Sequence, residues 1–128
     1  MRPRHFIAAS VLALVPALAQ AEGYYTSDLG DGGAPQECMT RAERALSSYV
    51  ATSANPNAFV ATGTWSVDAY DLMPGDVAVS ILCPYRESHV SVVLLVTHSE
   101  GPESERIATA EGIGQIWDSL GQPGGATK

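Results

Sequence analysis

The sequence predicts a two-layer α+β domain in the order α-β-β-β-α, an antiparallel three-stranded meander with two helices packed on one face. Three observations predict it. Apolar residues recur at helical spacing over 35–50 and again over 102–120. Three strand-like stretches lie between them, joined by turns too short for a parallel crossover. Cys38 falls on the apolar face of the first helix and Cys83 ends the apolar face of the second strand, so a bond between them would staple helix to sheet.

The first helix, Pro35 to Val50, places Cys38, Ala42, Ala45, Leu46 and Tyr49 on one face. Pro35 suits the first turn, where an N–H has no intrahelical partner. The segment 51–58 contains Asn55-Pro56-Asn57, a loop signal. The first strand runs from about Thr62 to Leu72, with an earliest start at Phe59; Trp65, Val67 and Ala69 alternate with polar neighbours, which assigns Trp65 to the core. Met73-Pro74-Gly75-Asp76 reads as a type II turn, with Gly at the position that needs positive φ. The second strand, Asp76 to Cys83, puts Val77, Val79, Ile81 and Cys83 on one face. The third, His89 to Thr97, contains Val92-Val93-Leu94-Leu95-Val96, apolar on both faces, so both faces are expected to be covered by the chain or by a partner. In the last helix, Pro102 to Leu120, Ile107, Ala110, Ile113, Trp117 and Leu120 share a face, and Glu103 and Glu105 sit near the positive end of the helix dipole.

Residues 1–21 carry a basic start (Arg2, Arg4), an apolar stretch from Phe6 to Ala19, and Ala19-Gln20-Ala21, the three-part pattern of a cleaved secretory signal. The stretch falls short of the ~20 apolar residues of a spanning helix, so no stable membrane anchor is expected after cleavage. Residues 22–34, rich in Gly and Asp, read as a flexible lead-in; 35–120 form the single domain, and 121–128 a flexible tail. An exported chain with only Cys38 and Cys83 is expected to join them in a disulfide. A periplasmic or secreted location follows.

Charge narrows the partners. The chain has 7 Lys+Arg against 14 Asp+Glu. Without residues 1–21, 107 residues remain with five basic side chains against 14 acidic ones, a formal charge of −9. Such a surface is unsuited to nucleic acid, which needs a basic face to displace counterions.

Chemistry-bearing patterns are sparse. His89 and His98 flank the third strand at an odd offset, so they face opposite sides and would lie ~30 Å apart. His98 with Ser99 or a carboxylate is the weak candidate for a hydrolase-like site, without a G-x-S-x-G elbow to support it. Asp68, Asp71 and Asp76 gather at the first hairpin, where Asp is common for structural reasons; Asp68 is kept as a weak binding candidate. Asp28, Asp31 and Glu37 fail the EF-hand spacing, which would put Ser27, Leu29 and Cys38 at positions 1, 3 and 12. No phosphate loop, Rossmann glycine pattern, metal or cofactor signature is present.

The run from Cys38 to Leu46, then Gly63-Thr64-Trp65-Ser66-Val67, Gly75-Asp76 leading to Ile81-Leu82-Cys83, and the Val92–Val96 strand resembles a loose family of small exported bacterial proteins of unknown function. Over residues 37–120 these share a helix with Cys and alanines, a strand block ending in a second Cys, an apolar strand and a last helix. The resemblance implies a disulfide-bonded exported domain and brings no activity or catalytic residues. The expected function is a non-enzymatic binding or protein-interaction module, with a protein partner or a homodimer. The alternatives are an inhibitor of an envelope or host enzyme and the small hydrolase using His98.

Overall fold

The computed structural model describes residues 23–53 and 55–121. The expected signal over 1–21 and most of the expected tail, 122–128, lie outside them. The architecture is α+β, with two helices and one antiparallel sheet of five strands rather than three. The strands are β1 (Gly23–Asp28), β2 (Phe59–Thr62), β3 (Ser66–Leu72), β4 (Val77–Leu82) and β5 (Leu94–Ser99); the helices are α1 (Pro35–Thr52) and α2 (Glu103–Ser119). The spatial order is β1-β5-β4-β3-β2. Strands β2 to β5 form a meander, and β1 returns to the far side of β5.

The two additional strands have separate origins. The lead-in expected to be flexible contains β1, paired along its length with β5 from Gly23 opposite Ser99 to Asp28 opposite Leu94. Tyr24-Tyr25-Thr26 favours extended backbone, and the edge of β5 supplies hydrogen-bond partners that 23–28 cannot supply to itself. The following glycines are also held: Gly32 N–H donates to Val90 O and Val90 N–H to Gly33 O, both at 2.8 Å. Gly32 is buried, and a Cβ there would lie 2.7 Å from Val93 Cγ2 and 2.9 Å from Cys38 Sγ.

The expected first strand is instead a hairpin. The chain reverses at Gly63-Thr64-Trp65, where Gly63 N–H donates to Ser66 O, and β2 pairs with β3. Trp65 therefore leaves the core and is 49% exposed. Alternation read through the turn gave it the wrong side. The expected third strand begins later, at Leu94; Val90 and Val93, just before it, are buried against the Gly30–Gly33 segment. Gly75 has φ +83°, as the expected turn requires, and the Met73–Pro74 peptide is cis. Positive φ at Asp71 accompanies a bulge between Ala69 and Leu72.

Both helices cover one face of the sheet. α1 lies over β2 and β3, α2 over β1, β5 and β4, and the helices touch each other. The inward residues Val67, Ala69, Val79, Ile81 and Leu95 meet Leu46, Ile113 and Trp117 in a closed core. Cys38 and Cys83 are bonded and fully buried, with Cα atoms 6.1 Å apart. Among the described residues, no helix is long and apolar enough to cross a membrane.

Candidate functional site

Two of the four described arginines are used in the interior. Arg41 of α1 is buried; its Nη2 and Nε donate to Trp117 O at 2.6 and 3.1 Å, and its guanidinium stands 4.0 Å from the Trp117 ring centroid. Trp117 O belongs to the last turn of α2, where it accepts one long backbone bond, 3.3 Å from Leu120 N–H, and where the dipole is negative. α2 has no basic residue there, and Arg41 supplies one from the neighbouring helix. Burial lowers the Arg41 guanidinium from its usual value, and Asp118 opposes that shift. Arg106 is also buried, with Nη1 donating to Gly101 O at 2.7 Å and Ser99 O at 3.2 Å. It ties the end of β5 to the start of α2.

The surface is left acidic. Thirteen of the 14 Asp and Glu residues lie in the described part, and none is buried. Of the four described arginines only Arg44 and Arg86 are exposed, and no described residue is lysine. Asp31 Oδ2 and His89 Nε2 are hydrogen-bonded at 2.7 Å; that bond first, then the one from Gly33 N–H, holds the Asp31 carboxyl below its ordinary value.

His98, Ser99 and Asp68, singled out in the sequence, do not converge on one another. His98 and Ser99 are adjacent in β5 and so face opposite sides of the sheet. Ser99 is buried under α2, where its Oγ lies 3.4 Å from Arg106 Nη1. His98 lies on the uncovered face, its ring 4.6 Å from that of Tyr24. Asp68 is on the same uncovered face, two strands away, and accepts a hydrogen bond from Ser80 Oγ. Two strand spacings and a two-residue offset separate Asp68 from His98 by roughly 12 Å of backbone. Among the described residues, no three His, Cys, Asp or Glu side chains are grouped to hold a metal.

Two surface features stand out instead. The first is the sheet face that no described helix covers, where Leu94 and Val96 of β5 are half-buried and the rings of Phe59 and Tyr70 stack at 5.1 Å. Among the described residues, the apolar β5 run thus has a second layer on its helix side only. The second is a cleft of about 520 Å³ between β1 and α2. Its strand wall carries Tyr25, Ser27 and Asp28, and its helix wall Glu111, Gln115 and Asp118. These three helix residues stand at spacings of four and three, a single stripe. Ala110 and Gly114 keep the floor low. The sequence carries little sign of this wall: Glu111 and Asp118 stand off the apolar face of α2, and the opposing strand lies in the Gly- and Asp-rich segment expected to be flexible. The only signals were the tyrosine pair before Thr26 and the Glu111-Gln115-Asp118 spacing.

A smaller cleft of about 320 Å³ beside the disulfide is lined by Met39, Trp65 and Tyr85. It adjoins a two-residue turn in which Glu87 and Ser88 both have positive φ. No family model, curated protein or solved structure matches this chain.

Proposed function

We propose that this chain is an exported, non-enzymatic interaction module whose partner is a basic protein, in the periplasm or outside the cell. The observation that carries the reading is the separation of charge: Arg41 and Arg106 are buried against backbone carbonyls, while 13 carboxylates lie at the surface with two exposed arginines. A surface of one sign attracts and orients a partner of the other and repels copies of itself. The Cys38–Cys83 disulfide is compatible with an oxidising compartment. An enzyme inhibitor with a basic target falls within this reading.

The test uses the chain purified after export and immobilised. Envelope extract or culture supernatant is passed over it at low ionic strength. A basic protein should be retained, leave as salt is raised, and re-form a stoichiometric complex from purified components. Retention of acidic proteins alone, or of none, would end this reading.

A further inference from the structure

We propose that the cleft between β1 and α2 is a strand-addition site, in which the outer edge of β1 pairs with an extended segment carrying Lys or Arg at alternate positions. This rests on the basic-partner reading above and gives it a place and a binding mode.

Among the described residues, the outer edge of β1 pairs with no strand. β1 is terminal in the sheet order, and no described strand lies beyond it. Leu29 N–H donates to Val93 O just after the strand. Antiparallel alternation then turns the N–H and C=O of Ser27 and Tyr25 toward β5, and those of Tyr24, Thr26 and Asp28 outward. Exposed edges are commonly blunted by Pro, Lys or a bulge. Within Gly23–Asp28 there is no Pro or Lys, and the pairing with β5 is continuous.

The cleft defines the occupant. A strand added to β1 would send every second side chain to the helix side, into a space flanked by Tyr25 and Ser27 on one wall and Glu111 and Asp118 on the other. Glu111 and Asp118 are seven residues apart, about 10 Å along the helix axis, within reach of long cationic side chains on alternate positions. Asp28 adds a third carboxylate at one end. A second copy of β1 is a poor occupant: Gly23–Asp28 brings no cation and one further carboxylate. Main-chain pairing would supply affinity and the carboxylates would select the side chains, the division of labour of strand-addition recognition.

The probe is an acetylated, amidated decapeptide alternating Lys and Thr, titrated into the exported chain and followed by amide NMR. Shifts are expected at Tyr24, Thr26 and Asp28 and along Glu111–Asp118. N-methylation of alternate peptide amides, in the frame that pairs with β1, should weaken binding about tenfold or more. Asp118→Asn with Glu111→Gln should weaken it several-fold, and a Glu-Thr peptide should not bind. Thr26→Pro, which removes one outward N–H, should act like N-methylation; the methylated peptides decide the matter should that variant fail to fold.

Equal binding of the methylated peptides, or shifts confined to the uncovered sheet face, would overturn the cleft while leaving the basic-partner reading in place. A self-associated dimer protected at Tyr24–Asp28 would overturn it in favour of a second copy. No binding of the Lys-Thr peptide at millimolar concentration would also overturn it, and the immobilised-chain experiment then decides the broader reading separately.

Discussion

Arg41 shows how one side chain serves two elements. It is a residue of α1, yet its hydrogen bonds end the backbone of α2. Arg41→Ala removes charge-assisted bonds and leaves a void against Trp117, so a loss of about 2–4 kcal/mol is expected. Arg41→Met should lose less, because the unbranched stem refills the volume and no buried cation remains; Nη1 of the native arginine has no hydrogen-bond partner among the described residues. Urea midpoints of the two variants check this order. Asp31 offers a pH test. Its pKa is lowered in the fold, first by the hydrogen bond with His89 and then by that with Gly33. A lowered acid pKa means the contact is present above the ordinary Asp value of 3.8 and is lost as pH falls through the lower folded value. Carbon-detected titration of the Asp31 carboxyl should give a midpoint below 3.8. His89→Ala should shrink that shift without abolishing it, since Gly33 N–H still donates.

At the scale of elements, the disulfide joins the first turns of α1 to the residue after β4, across a sequence separation of 45. In the chain-entropy model, closing a loop of that length contributes roughly 4 kcal/mol. Replacing both cysteines by Ala should therefore lower the unfolding free energy by about that amount in a urea titration of the oxidised parent against the variant. A loss under 1 kcal/mol would show that β4 and α1 hold each other without the bond. The helices were legible because a 3.6-residue period marks Cys38, Ala42, Ala45 and Leu46, all of them buried. β1 was not, because an edge strand leaves only Tyr25 and Ser27 facing the helix layer and takes its hydrogen bonds from β5, which no local pattern records. The division of 59–72 into β2 and β3 was hidden for a related reason: alternation continues in the letters while the chain reverses at Gly63-Thr64-Trp65.

In the whole molecule both helices pack on the same side of the five-stranded sheet, so among the described residues the other face carries no second layer, and the β1 edge meets the flank of α2 in an acidic cleft. The surplus of surface carboxylates makes the folded state self-repelling. Added NaCl should raise the melting temperature up to a few tenths molar, where the Debye length falls to a few ångströms. Calorimetry at fixed pH checks this, and a salt-independent Tm would show that the exposed charges are already well separated.

The acidic balance, the apolar faces of both helices, the central strands and the pairing of Cys38 with Cys83 are legible in the letters alone. Each is written in composition, in period, or in the presence of only two thiols. It takes the folded chain to make Gly23–Asp28 a strand, to turn Trp65 to solvent, to set His98 and Ser99 on opposite sides of the sheet, and to bring Glu111 and Asp118 across a cleft from the β1 edge. The physical reason is common to all four. A strand's existence and its neighbours are settled by hydrogen bonds to residues distant in sequence, and a surface site by which elements the core brings side by side.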